Sequence, residues 1–117
     1  MQKVQSMQLS SKGKCFFREV LNLKIHGRYC GPNWTHGRRI PASDYNKYDE
    51  VTPIDRLDRA CQAHDEDCSK GGCSKKGDTA LIRRVFLVAG TTSDPRLRAT
   101  ALAVAAGISA ALLTRSR

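Results

Sequence analysis

Asp58-Arg59-Ala60-Cys61-Gln62-Ala63-His64-Asp65 sits in a run whose period decides how the chain is read. Ile54, Leu57, Cys61, His64 and Cys68 recur at spacings of three and four, which places them on one helix face. Asp55, Arg56, Arg59, Gln62 and Glu66 cover much of the remaining surface. Thr52 suits the N-cap, Pro53 the first helical position and Asp55 the third, where a carboxylate favours the helix N-terminus. Gly71-Gly72 should end the helix. Adjacent helical residues diverge by about 100°. His64 therefore turns inward with Leu57 and Cys61, and Asp65 stands one step round, beside Asp58 and Gln62. Such a histidine can act as a base while its neighbour binds a metal. The plainer alternative is a buried histidine next to a solvated carboxylate.

Upstream, residues 26–53 are rich in turn formers: Gly27, Gly31, Pro32, Gly37, Pro41 and Pro53. Long loops inside compact domains tend to be functional. Within this one, Tyr29-Cys30-Gly31-Pro32-Asn33-Trp34 forces a tight backbone path that can aim several carbonyl oxygens at one point. Calcium takes oxygen ligands in a flexible shell, and backbone carbonyls qualify. A purely structural turn has the same composition.

Downstream, a second helix is expected from about Asp78 to Val88, with Leu81, Ile82, Val85 and Phe86 inward. Asp78 is then either its N-cap or a partner for a buried donor. If the two helices pack antiparallel, Asp78 can accept the ring N–H of His64, fixing the tautomer and stabilising the imidazolium. Gly90 and Asp94-Pro95 break the chain. A third, alanine-rich helix is expected from about Arg96 to Leu113. Its uncharged run, residues 99–114, is shorter than the ~20 apolar residues a membrane span needs. A packed or interacting helix is the favoured reading over insertion. Residues 1–14 read as a loose polar arm, and residues 15–21 as a short helical pattern.

Five cysteines in 117 residues suggest disulfides or a metal site. Disulfides need an oxidising compartment, yet residues 1–8 carry no signal-peptide pattern. A Cys30–Cys61 bridge would pin the glycine loop against the helix carrying His64 and Asp65, and would contribute about 3 kcal/mol by loop-closure entropy. The formal charge of +9 favours anionic partners, whether phospholipid surfaces or nucleic acid, and says nothing about fold. The basic pairs, such as Arg38-Arg39 and Arg83-Arg84, have no aromatic ladder beside them, so no specific nucleic acid is expected.

Together, Tyr29-Cys30-Gly31-Pro32 and the later Asp58-x-x-Cys61-x-x-His64-Asp65 resemble the secreted phospholipase A2 superfamily. The nearest flavour is the compact form of invertebrate proteins and of parvovirus minor capsid proteins. The resemblance covers residues 27–90 or so. It implies that His64 deprotonates a water and that Asp78 orients it. It implies that Asp65 and the backbone carbonyls of Tyr29, Gly31 and Asn33 hold Ca2+. The matched cysteines, Cys30 and Cys61, are bridged in the secreted members. Three departures stand out, one of them the short Gly71-Gly72-Cys73 stretch on which the helix pairing, and hence Asp78, depends. Asn33 occupies a loop position that is often glycine, and Cys68 replaces a tyrosine usually found four residues after the histidine. Cys68–Cys73 could form a small bridge in its place.

The expected architecture is mainly α: two antiparallel, disulfide-supported helices carrying the site, an N-terminal calcium loop and an additional C-terminal helix. The expected organisation is an arm over 1–14, a phospholipase A2-like catalytic domain over 15–95, and an apolar helix over 96–117. The expected activity is calcium-dependent hydrolysis of the sn-2 ester at a phospholipid membrane surface, by a secreted or virion-associated protein that could be part of a larger one. Two alternatives stand beside it. One is a non-catalytic basic module for membranes or nucleic acid. The other is a small zinc domain built on Cys61, His64, Cys68 and Cys73, which would leave Tyr29–Trp34 unexplained.

Overall fold

In the computed structural model, residues 24–117 are described. The arm over 1–14, the short helical pattern over 15–21 and Cys15 lie outside them. The described chain is mainly helical: α1 (Arg56–Cys68), α2 (Lys75–Thr91) and α3 (Pro95–Leu112), preceded by a loop with two 3-10 turns, Ala42–Asp44 and Lys47–Asp49. No strand is present among the described residues, only isolated bridges at His26/Cys30 and Thr35/Arg38.

The start of α1 differs from the sequence expectation. Asp55, not Thr52, is the N-cap, its carboxylate accepting the backbone N–H of Asp58. The residues before it are held away from helical geometry. The Thr52 carbonyl accepts from the Arg28 guanidinium, and the Ile54 N–H donates to the Asp58 carboxylate. Ile54 accordingly lies off the inner face, 54% exposed.

The second helix begins earlier and ends later than expected. Ser74 caps α2 by accepting the N–H of Gly77, and the helix runs through Gly90 to Thr91. Asp78 is thus a full turn inside, which removes the N-cap reading. The inner face runs Asp78, Leu81, Val85, Val88 and Ala89. Phe86, expected inward, is 53% exposed: the face advances by three and four residues from Asp78, and 86 falls beyond it. The third helix starts one residue early, with Asp94 as N-cap and Pro95 at its first position.

The helices alternate in direction. Arg56, at the start of α1, reaches Thr91 at the end of α2 (2.8 Å). Beyond the end of α3, the Arg117 carbonyl accepts the N–H of Lys75 at the start of α2 (2.8 Å). Small residues on α3, Ala101 and Ala105, are buried beside Val104 against α2. One core joins Tyr29, Cys30 and Tyr45 of the loop with Leu57, Leu81, Val85, Val88 and the α3 alanines. Burying each large aliphatic side chain here contributes about 1.5–3 kcal/mol. Among the described residues, no helix is long and apolar enough to cross a membrane.

Two disulfides support this frame, Cys30–Cys61 and Cys68–Cys73. The first ties the glycine loop to the middle of α1. The second closes the turn between α1 and α2.

Candidate functional site

The loop is hung on one carboxylate. Asp58, fully buried on α1, accepts the backbone N–H groups of Arg28, Tyr29 and Ile54 at 2.9–3.0 Å. The loop therefore enters and leaves α1 through the same side chain. Gly27 makes the approach possible. Its φ is +61°, and a Cβ there would fall 2.4 Å from the Asp58 carboxyl carbon. Sequence reading placed Asp58 only as a neighbour of Asp65. Its position in the Asp58-x-x-Cys61 pattern, one turn before the cysteine and on the Leu57 side, was the available signal.

Further along, Tyr29, His36 and Tyr45 form an aromatic cluster, with His36 stacked on Tyr45 at 4.7 Å between ring centroids. The His36 Nε2 accepts the N–H of Asn46 (3.2 Å), so Nδ1 carries the proton and donates to the Tyr29 oxygen (3.0 Å). Burial lowers the His36 pKa and raises that of Tyr29, consistent with both rings being neutral. The cluster fixes the loop from below. The loop itself needs unusual angles: φ is +146° at Gly31 and +54° at Asn33. Asparagine tolerates the left-handed region better than most residues, so its presence in place of glycine is compatible with the bend.

On α1, His64 and Asp65 are both nearly buried. His64 Nε2 lies 2.6 Å from Asp78 Oδ1. A carboxylate only accepts here, so in the neutral ring Nε2 holds the proton and Nδ1 keeps its lone pair. Asp78, itself fully buried, has a second partner that the sequence did not disclose: Arg115, just past α3, whose Nε lies 2.7 Å from Oδ2. Nothing in the local pattern around Arg115 marks it, because the contact spans 37 residues and depends on the return of the C-terminal segment.

Asp65 faces the loop. Its Oδ2 accepts the Thr35 hydroxyl at 2.8 Å. Burial pushes its pKa up to about 8, the Thr35 bond opposes this, and nearby Asp58 adds to it. A carboxylate held in this way, with one neutral donor, is suited to receive a cation. Tyr29, Gly31, Asn33, His64 and Asp65 all line one cavity of about 590 Å³. Its further wall is apolar and comes from Leu81 and from Val104, Gly107, Ile108 and Ala111 on α3. The Gly31 carbonyl also accepts the Trp34 N–H (3.2 Å), closing the turn.

The structure pairs His64 with Asp78, and Tyr29, Gly31, Asn33, His64 and Asp65 line the same cavity. Asp65 and the loop carbonyl groups are oxygen donors of the kind a hard cation such as calcium takes, and the sulfurs that line the same cavity, Cys68 and Cys73, are bonded to each other. The four-residue zinc alternative does not survive in this form. Cys61 is spent in its bridge to Cys30, and Cys68 and Cys73 are bonded to each other.

No family model matches the chain, and no curated protein and no solved structure matches it either. The case for function rests on the residues themselves.

Proposed function

We propose that this protein hydrolyses the sn-2 acyl ester of phospholipids in a calcium-dependent reaction. The observation that carries this reading is the pairing of His64 with Asp78 beside a largely apolar cavity that His64, Asp65 and the glycine loop line. A base, a cation-ready carboxylate and an apolar wall meet in one place, as ester hydrolysis on a lipid requires.

Asp65 and the carbonyl groups of Tyr29, Gly31 and Asn33 would hold the calcium ion. When bound, it supplies positive charge to the ester carbonyl and to the developing oxyanion. The remaining work falls to the chain. His64 Nδ1 takes a proton from water as that water attacks the carbonyl carbon. Asp78, hydrogen-bonded at Nε2, keeps the correct tautomer and stabilises the imidazolium. The imidazolium then returns its proton to the departing lysolipid oxygen. Arg115 shares Asp78 with His64 and holds that carboxylate in place. The apolar α3 wall takes the acyl chain and excludes water from it.

The net charge of +9 supports docking on an anionic phospholipid surface. A secreted or virion-associated setting, alone or within a larger protein, accords with the two disulfides. The test is fatty-acid release from mixed phospholipid vesicles, with calcium or with a chelator. We expect release that needs calcium and is abolished in His64→Ala. No release by the wild type, or release indifferent to His64→Ala, overturns the reading and leaves a non-catalytic basic module.

A further inference from the structure

The Cys68–Cys73 disulfide lies against the ring that carries the chemistry. Cys68 Sγ is 3.8 Å from His64 Nδ1, the nitrogen not bonded to Asp78, and 3.9 Å from Nε2. His64, Cys68 and Cys73 offer ligand atoms that all lie within 4.8 Å of one another. Cys68 follows His64 by four residues on α1, so the two share a helix face. Cys73 returns across Gly71 and Gly72, whose φ angles are +97° and +110°. Nothing lies within 4 Å of where either glycine would carry a Cβ. The segment bearing Cys73 has room to shift once its bond is cut.

The Cys68–His64 distance is close to what zinc needs, and a shift of Cys73 completes the set. Bonds of about 2.3 Å to sulfur and 2.0 Å to nitrogen, at a tetrahedral angle, separate the two ligand atoms by about 3.5 Å. The second nitrogen of His64 is already bonded to a buried carboxylate, Asp78. Such an outer carboxylate is the usual partner of a zinc-bound imidazole, fixing its tautomer and raising its basicity. We propose that reduction of Cys68–Cys73 creates a zinc site formed by His64, Cys68 and Cys73, which captures the lone pair of His64 and silences the hydrolytic centre. The inhibitory consequence rests on the hydrolytic reading above; the metal site does not.

The chemistry balances with a dithiol as reductant. A thiolate of the dithiol attacks the part-exposed Cys73 sulfur, the Cys68–Cys73 bond breaks, and Cys68 leaves as a thiolate. The second thiol of the reductant displaces Cys73 and closes a cyclic disulfide, so two electrons pass to the protein. Zinc then binds two thiolates and Nδ1, the two thiol protons go to solvent, and a fourth position stays open to water. Cys30–Cys61 is spared because both cysteines are buried, at 1% and 4% exposure. In an oxidising compartment the site cannot form, and His64 is free. In a reducing, zinc-containing one, the enzyme is held off.

The test uses the full chain carrying Cys15→Ser, reduced with a water-soluble phosphine, with mass mapping to verify that Cys30–Cys61 stays closed. Cobalt(II) is the spectroscopic probe. We expect one equivalent to bind with an intense thiolate-to-metal band and tetrahedral d–d bands. Affinity should fall at least 100-fold in Cys68→Ser and in Cys73→Ser, and the oxidised protein should show no band. Absence of the band in the reduced protein, or unchanged affinity in Cys73→Ser, overturns the site. In a second arm, one equivalent of zinc is added with calcium in large excess. Vesicle hydrolysis by the reduced protein should fall at least 10-fold and recover with a chelator selective for zinc, while the oxidised protein is unaffected. Zinc binding without loss of hydrolysis overturns the inhibitory role. An oxidised protein that releases no fatty acid overturns the hydrolytic reading instead, and the cobalt arm still decides the metal site.

Discussion

Arg115 grips Asp78 with two nitrogens, Nε 2.7 Å from Oδ2 and a terminal nitrogen 3.3 Å from Oδ1, the oxygen that also bonds His64. The carboxylate is fully buried, and the arginine side chain is 21% exposed. Removing one partner from a buried charge is costly because the other charge is left behind. Arg115→Gln should therefore lower stability by about 2 kcal/mol, read as a fall in melting temperature. It should also lower kcat on vesicles about 10-fold with KM little changed, since the lipid surface is not what Arg115 holds. Arg115→Lys restores charge without the fork and should recover part of the loss. Equal kcat in wild type and Arg115→Gln would show that Asp78 needs no support from the C-terminal segment.

Gly27 and Asp58 make a second, independent case. A Cβ at position 27 would meet three atoms of the Asp58 carboxylate within 2.6 Å, in a backbone conformation at φ +61°. Gly27→Ala must displace that carboxylate or the loop, and either loosens three backbone hydrogen bonds. A loss of about 3 kcal/mol is expected by urea denaturation. Calcium affinity should drop as well, because the loop carbonyls sit two to six residues further on. Asp58→Asn, which halves the acceptor capacity, should show the same two effects, with the larger loss in stability.

These two cases mark where the sequence was legible and where it was not. The His64–Asp78 contact needed the added premise of antiparallel packing, whereas the helix bearing His64 and Asp65 and the turn-rich loop were legible because period and turn chemistry are local signals. The boundaries of α1 and α2 were misread for the same reason: Thr52-Pro53 carries good helix-start chemistry. Tertiary bonds from Asp58 and Arg28 override it and move the cap to Asp55. Ser74 was passed over although its cap of Gly77 is equally local. Arg115 had no local signal, since its partner lies 37 residues away. Asp58 stands in the Asp58-x-x-Cys61 pattern, but its role in holding three loop N–H groups depends on the tertiary approach of the Gly27 backbone.

Asp65 gives a pH dependence with a definite sign. Its pKa rises from 3.8 in the reference state to about 8 in the fold, chiefly by burial. A raised folded value means that stability is fully present below about pH 4 and is lost as pH rises through 8. The calcium-free protein should accordingly melt lower at pH 8 than at pH 5, and Asp65→Asn should flatten that difference. At pH 8 without calcium, Asp65→Asn should be the more stable protein, by on the order of 2 kcal/mol. Calcium should reverse the order by stabilising only the wild type. Parallel pH profiles for the two proteins in chelator would remove Asp65 as the source.

The α3 wall of the cavity yields the last prediction. Gly107 lines the cavity, and no atom lies within 4 Å of where its Cβ would be. A larger side chain is therefore tolerated by the fold and fills space otherwise open to a ligand. Replacing a helix-interior glycine also stabilises the helix by roughly 0.5–1 kcal/mol. Gly107→Leu should thus melt at or above the wild-type temperature. Yet it should raise KM for long-chain phospholipids about 10-fold, with short-chain substrates affected much less. Fatty-acid release measured across a series of acyl lengths separates the two effects. An equal loss at every length would place the acyl chain away from α3, and would return that helix to a purely structural part of the core.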